Sequence, residues 1–543
     1  MAGEEKSDEK VASNNARLVE QEKNLESILS SYLYTNYSET DIQKISLELN
    51  NLFQFQINEN CENINVSYAD IQNKFSTFNE KSNSRKKNGV YYTENDITTY
   101  IVSNCLKLHS GVEICNLNKA SLENISETTL FDPTCGCGAF LLTALELKLK
   151  NLNSNFSQKI IFSILESLYG NDIDEFSVLI TKLRLFLCIL DKTGIFNING
   201  IAAILNSNFS CSDIFSLKLN KKFDLVIGNP PYVEESKSNN SFDVHYGNIY
   251  ANVLAKSLEF LDTSGCFGFI VPLSYTSTPR MCGIRNLLNS KLQKQIVLSF
   301  ADRPGCLFTS VHQKLNIILG TVKGEKELYT SSYQYWYKPE RNKLFDKIHF
   351  QKNNFACEKF IPKLGSSKDC LILKKIYSQS EKFNFGDKKG KENFYLNTRA
   401  CFWLKAFLTP HTTSEYRIIH FENKSERDYA YCLLNSSLFW WFWVCISDCW
   451  HITKKEFEFF KFPKDFDSEI VNHLAIQLDN KLEKTKKFIG SKQTQYEYKH
   501  KFCLKEIHEI DNYINNLYGL TESESNYIKT FALSYRTSEG AKK

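Results

Sequence analysis

Between residues 128 and 322 the chain alternates two textures, and this alternation limits its folds more than any other feature. Seven apolar runs of strand length recur: TTLFDP (128–133), SLYGNDID (167–174), FSCSDIF (209–215), FDLVIGNPPY (223–232), GCFGFIVPL (265–273), QIVLSFA (295–301) and LNIILGTV (315–322). Amphipathic stretches such as DEFSVLITKLRLFLCIL and NIYANVLAKSLEFL lie between several of them. Seven candidate strands with helical crossovers between several of them imply a doubly wound, mostly parallel α/β sheet. Such a sheet binds ligands outside the carboxyl ends of its strands, so residues that carry chemistry are expected there.

The flanks read differently. Residues 1–85 form an N-terminal helical segment that runs into a basic linker, KSNSRKKN, residues 86–325 hold the sheet, and residues 326–543 form an α+β region with a helical tail. The net charge of +4 conceals blocks: residues 1–80 carry roughly −8, residues 81–330 roughly +3 and residues 331–410 roughly +9. A polyanion would favour the last of these. With 40 Phe, 27 Tyr and 42% hydrophobic residues the chain is not a disordered or fibrous protein. Its 17 Cys are too dilute for a disulfide-stapled domain, and MAGEEKSDEK carries no secretory pattern, so reduced thiols and a cytoplasmic location are expected. The most apolar segment, LLNSSLFWWFWVCI, is shorter than the ~20 residues a membrane span needs and reads as a buried helix.

Four constellations stand at strand ends. Asp132, Pro133, Gly136, Gly138 and Phe140 belong to FDPTCGCGAF, where two glycines allow close backbone approach at a helix N-terminus. A third glycine is absent, so a nucleoside without a pyrophosphate fits better than a dinucleotide. The single residue between Cys135 and Cys137 does not suit zinc, and no metal is expected. Asp172 and Ile173 end the second strand, where a carboxylate can accept hydrogen bonds from ribose hydroxyls, while Asp174 suits a helix N-cap. Asp213 and Ile214 follow the third and suit an adenine amino group on an apolar shelf. Asn229-Pro230-Pro231-Tyr232 follows the fourth. Two prolines fix the backbone so that the Asn229 side chain and the Pro230 carbonyl form a rigid acceptor pair for an exocyclic amino group, with Tyr232 as a platform for a flat ring. That combination suits a nucleobase taken out of its stack.

In this order the motifs resemble those of S-adenosylmethionine-dependent DNA amino-methyltransferases, specifically the adenine-N6 members of gamma motif order, over about residues 89–322. The resemblance implies a Rossmann-like seven-stranded methyltransferase sheet. It also implies that Tyr92 and Thr93 of GVYYT, together with Asp132, Pro133, Gly136, Gly138, Phe140, Asp172, Ile173, Asp213, Ile214 and Asn229, bind S-adenosyl-L-methionine. Glu94 stands where the family usually has Pro. Asn229, Pro230 and Tyr232 are the implied catalytic residues, and Phe308 of CLFTSV is implied to stack on the opposite face of the flipped base. Asn at the first position of the catalytic motif points to adenine rather than to cytosine N4, and no Pro-Cys dipeptide suggests ring-carbon chemistry. The C-terminal LNSS, SDCWH and Phe-Pro elements resemble a target-recognition region.

The expected activity is therefore site-specific methylation of adenine N6 in double-stranded DNA, with a separate cognate restriction endonuclease as a partner and no membrane association. An N-methyltransferase acting on RNA or on a protein glutamine stays open, as does the methyltransferase part of a bifunctional restriction-modification enzyme. Lys374, Lys375, Lys388, Lys389 and Arg399 are the candidate DNA contacts within a basic stretch that also includes Lys363, Lys368 and Lys391. The aromatic run 439–443 reads as core.

Overall fold

The computed structural model describes residues 20–56 (without 22), 66–77 and 92–538, the last without residues 124, 153–155, 195–197, 239, 310, 383–389, 412 and 491–495. Each of the seven apolar runs contains a strand: β1 (Leu130–Asp132), β2 (Leu168–Asp172), β3 (Phe209–Cys211), β4 (Phe223–Gly228), β5 (Leu261–Pro272), β6 (Lys294–Phe300) and β7 (Leu315–Thr321). They lie in the order β3-β2-β1-β4-β5-β7-β6. The pairs from β3 through to β5 are parallel, whereas β7 lies antiparallel between β5 and β6. Among the described residues of the connection 301–314 from β6 to β7 there is no helix, and a parallel return needs a crossover, so the chain doubles back.

The sheet does not stop at residue 325. β8 (Glu327–Gln334) adds in parallel to β6, and β9 (Gln351–Lys352) adds antiparallel to β8, giving nine strands. Polar residues thin the apolar signal in ELYTSSYQ because this strand approaches the rim of the sheet. Helices Asn95–His109, Ala139–Asn151 and Glu175–Thr193 cover one face, and Ile249–Ser257 with Cys282–Lys291 cover the other. This two-sided burial suits the nearly continuous apolar text of β4, β6 and β7, whereas β2 and β3 carry polar residues toward their carboxyl ends.

The N-terminal helical segment is no appendage. Leu25, Leu29, Leu33, Ile45, Leu49, Ile71 and Phe75 are fully buried in the same core as the sheet. Glu48 accepts hydrogen bonds from the Gly200 and Ala202 amides at 3.0 and 3.2 Å, where its carboxylate satisfies the N-terminus of helix Ile201–Asn208. Helix Tyr68–Thr77 packs on Glu175–Thr193, where Gln72 Nε2 donates to the Arg184 carbonyl (3.1 Å) and Gln72 Oε1 accepts from Arg184 Nε (2.9 Å).

The apolar run 433–446 is buried, as its composition suggests, but it belongs to two helices, Lys424–Asn435 and Ser437–Ile446, bent by 64°. Ser436 makes the break: its Oγ accepts the Phe439 amide at 3.2 Å and caps the second helix. Among the described residues no single helix is long and apolar enough to cross a membrane, and only this bent pair passes by length and composition. Trp440, Trp441 and Trp443 pack in the core. Near the C-terminus, the buried Arg536 guanidinium lies 3.9 Å from the Trp403 ring and 4.1 Å from the Trp440 ring, which pins the last helix to this aromatic centre.

Candidate functional site

Strand order reverses between β1 and β4, and the carboxyl ends of these strands flank the crevice where such sheets bind ligands. Asp132 ends β1 and Asn229 follows β4. Gly228 makes their approach feasible, since a methyl group there would lie 2.8 Å from Asp132 Oδ1 and 3.3 Å from the Phe269 ring. The Asp132 side chain is buried, which pushes its carboxyl well above the usual carboxylate range, and Oδ1 accepts the Thr134 amide at 3.1 Å.

The glycine loop after β1 is held from three sides. The Gly136 amide donates to Asp172 Oδ2 (2.8 Å), Thr181 Oγ1 donates to the Gly136 carbonyl (2.8 Å), and the Arg184 guanidinium donates to the Cys137 carbonyl. Gln72, which orients Arg184, thus connects the N-terminal segment to this loop. Asp172 Oδ1 accepts the Asp174 amide at 3.0 Å. Both carboxylate oxygens of Asp172 thus engage the backbone on either side of the crevice. Asp174 caps the next helix, its carboxylate accepting the Ser177 amide at 3.0 Å. At the neighbouring edge Asp213 Oδ1 accepts the Phe215 amide at 3.0 Å. Ile214 is buried in the core, as are Pro133 and Phe140, whereas Ile173 is 72% exposed and presents its apolar side chain beside Asp172.

Two residues of this crevice carry no mark in the sequence reading. Asn171 is buried, and its Nδ2 donates to the carbonyls of Pro133 (3.2 Å) and Ser212 (3.0 Å), while Oδ1 accepts the Ser210 and Ser212 hydroxyls at 2.8 and 2.9 Å. One amide on β2 thereby ties the loop after β1 to the end of β3. A polar residue at the end of a two-face-buried strand was the available signal. Thr134 Oγ1 is buried with no hydrogen-bond partner among the described residues.

These features test the pocket for a nucleoside-bearing cofactor. Gly136, at φ 53°, has open space where a Cβ would stand, and an orphaned hydroxyl, a carboxylate and an exposed apolar side chain lie along the same loops. The donor set fits an amino acid head, a ribose and a flat ring. Gly138 fixes the entrance: it adopts φ 75°, and a methyl group on it would lie 2.7 Å from Thr181 Cγ2 and 2.9 Å from Thr181 Oγ1. Gly138→Ala is expected to cost about 2 kcal/mol of stability from the left-handed backbone and the crowding. It should also displace the Thr181 hydroxyl from the Gly136 carbonyl; thermal unfolding of the variant against the wild type checks the loss.

The second half of the site faces this crevice. Asn229 Nδ2 donates to Thr93 Oγ1 at 3.0 Å, which fixes the orientation of the amide. Thr93 is buried and Tyr92 half-buried just before helix Asn95–His109. Tyr232 OH donates to the Ile270 carbonyl at 3.0 Å, and its ring lies 6.4 Å from the ring of Phe308, with 24° between the planes. Carbon layers in contact stand about 3.5–4.0 Å apart, so a flat ring between these two needs a separation of roughly 7–8 Å. A widening of about 1 Å would make the pair a two-sided clamp.

The basic stretch is more divided than its composition suggests. Lys363 is buried and donates to the Ser447 carbonyl (2.8 Å), and Lys375 donates to Glu524 Oε2 (2.6 Å) and the Gly519 carbonyl (2.7 Å), so both serve the fold. Lys368 bonds Ser523 Oγ at 2.9 Å. Lys374 and Lys391 are exposed, and Arg399 is exposed beside Glu415, 3.2 Å away. Lys388 and Lys389, like Gly89 to Tyr91, lie outside the described residues. Composition did not single out Arg303 and Lys314, whose charges lie 5.5 and 4.8 Å from the Trp450 ring on the loop that carries Phe308.

Residues 166–303, the stretch from β2 to just past β6, match the Eco57I restriction-modification methylase family. The chain is 24% identical over 200 residues to the Type II methyltransferase M.VspI of Vibrio sp. (strain 343), a match covering 34% of this chain and 38% of the relative. The similarity thus spans less than half of that relative's length. Among solved structures, the Type IIL restriction-modification enzyme MmeI in complex with DNA is similar in fold, with a TM-score of 0.51 at 12% identity, over 86% of this chain and 81% of MmeI.

Proposed function

We infer that this chain is a methyltransferase of restriction-modification type, and we propose that it transfers a methyl group from S-adenosylmethionine to the N6 amino group of an adenine flipped out of double-stranded DNA. The observation that carries this reading is the juxtaposition of the oriented Asn229 amide with the near-parallel Tyr232 and Phe308 rings at the carboxyl end of β4. It supports a flat heterocycle with an exocyclic amino group as the substrate. When bound, S-adenosylmethionine supplies an electrophilic methyl group on a sulfonium.

The chain's own residues do the rest. The Gly136 loop, Thr134, Asp172, Ile173 and Asp213 would hold the cofactor's methionine, ribose and adenine parts. Because its lone pair is delocalised into the ring, the amino nitrogen of adenine is a weak nucleophile. Hydrogen bonds from N6 to the Asn229 side-chain oxygen and the Pro230 carbonyl would draw it toward tetrahedral geometry and free that lone pair. Thr93 holds the Asn229 amide in the required orientation, and Tyr232 with Phe308 keeps the ring from tilting. Residues 326–543 would select the site, with Lys374, Arg399, Arg303 and Lys314 meeting phosphates, and a separate nuclease would read the same sequence.

Incubation of the full chain with unmodified duplex DNA and S-adenosylmethionine, followed by nucleoside mass spectrometry, is expected to yield N6-methyladenine. N4-methylcytosine instead would move the assignment to the other amino-methyltransferase branch. Methyl groups found only in RNA or on a protein glutamine amide would replace the DNA reading, and magnesium-dependent cleavage of the same DNA would identify a bifunctional enzyme.

A further inference from the structure

Glu94 occupies the start of helix Asn95–His109, yet its side chain makes no capping bond to that helix. Its Oε1 instead accepts both the backbone amide of Thr309 (2.7 Å) and the Thr309 hydroxyl (2.9 Å). Thr309 follows Phe308, and Glu94 follows Thr93, the acceptor for Asn229 Nδ2. Two consecutive residues therefore touch both walls of the site, one at the acceptor amide and one at the loop of the stacking ring. Oε2 of Glu94 is buried with no hydrogen-bond partner among the described residues, and burial pushes the carboxyl above its ordinary range.

A second tie joins the same two elements. The Arg341 guanidinium engages both carboxylate oxygens of Asp96, two residues after Glu94, and its Nη1 donates to the Cys306 carbonyl at 3.0 Å. The loop that presents Phe308 is thus fastened to the start of one helix on both sides of Phe308, at Cys306 and at Thr309. Between these two anchors Leu307 and Phe308 are fully buried, so the position of Thr309 bears directly on how the Phe308 ring is presented.

We propose that Glu94 is a positioning residue that couples cofactor occupancy to the base clamp: ordering of residues 92–94 by the bound cofactor fixes Thr309, and with it the Phe308 ring opposite Tyr232. The inference rests on the reading of Tyr92 and Thr93 as part of the cofactor site. Coupling of this kind is reciprocal, so an ordered clamp would also tighten cofactor binding.

Hydrogen–deuterium exchange on the full chain, with and without S-adenosylmethionine, tests it without reference to activity. In the wild type, cofactor is expected to slow exchange in residues 132–140 and in residues 302–309. In Glu94→Ala the protection of 132–140 persists, while that of 302–309 falls about tenfold or more, the loss expected for two hydrogen bonds to a carboxylate. Glu94→Gln, which keeps an acceptor oxygen for the Thr309 amide, restores most of it, as a merely structural defect would not. Protection of 302–309 that survives in Glu94→Ala overturns the coupling, as does a wild type in which cofactor protects 132–140 alone. If cofactor protects neither segment in the wild type, the cofactor reading itself fails and takes the inference with it. Should Glu94→Ala not fold, the milder Thr309→Val, which removes the hydroxyl donor at an exposed position, is expected to lower the protection of 302–309 severalfold, and an unchanged value would reject the proposal.

Discussion

Asn229→Ala is expected to lower the rate of DNA methylation by about 10²–10³-fold or more, with a smaller loss of cofactor affinity, about tenfold at most, through the lost bond to Thr93. The expected size follows from removing one preorganised polar group aimed at the reacting centre. The separation of effects follows from place: Asn229 follows β4 and bonds Thr93, whereas the glycine loop is held by Asp172, Thr181 and Arg184. Loss of the bond to Thr93 costs about 1 kcal/mol, so the variant should fold, with an unfolding temperature a few degrees lower. Single-turnover methylation and calorimetric titration together decide the matter. Methylation that continues at the wild-type rate would falsify the role given to Asn229.

Asp172→Ala is expected to act on the other side of the crevice, raising the dissociation constant for S-adenosylmethionine by about 10²–10³-fold. Two backbone amides, Gly136 at 2.8 Å and Asp174 at 3.0 Å, lose a charged acceptor, and the ribose loses its proposed partner. Hydrogen bonds to charged groups contribute about 1.5–3 kcal/mol each, which sets the scale. Asp172→Asn retains one acceptor oxygen and should fall between wild type and alanine. A titration in which Asp172→Ala binds as tightly as the wild type would remove Asp172 from the site, whatever its effect on stability.

Much of the sheet was legible because strands buried on both faces, β4, β6 and β7 above all, carry few polar side chains, and short runs of strand length recur between amphipathic stretches. The site was legible in parts for a related reason: at a strand end, a chain that turns tightly and binds a ligand needs Gly, Pro, Asp or Asn, and these stand out against an apolar background. Contacts between residues distant in sequence were not legible. Glu94 and Thr309 lie 215 residues apart, and Gln72 and Arg184 lie 112 apart, so neither pair leaves a local pattern. Charge misled in the C-terminal half. Lys363 and Lys375 look like a phosphate-binding face in composition, but their ammonium groups bond carbonyls and a carboxylate within the fold. A lysine's long stem lets it reach such partners from positions indistinguishable in sequence from solvent-exposed ones.

The sequence by itself determined the alternation of strands and helices and the polar residues at four strand ends, because each depends on side chains within a few positions of one another. Only the tertiary structure decided that β7 returns antiparallel between β5 and β6, that the N-terminal helices share the core of the sheet, and that Phe308 lies near-parallel to Tyr232 on a loop tied to Glu94. These depend on which distant surfaces exclude water together and which buried polar groups find partners, and both are settled when the whole chain packs.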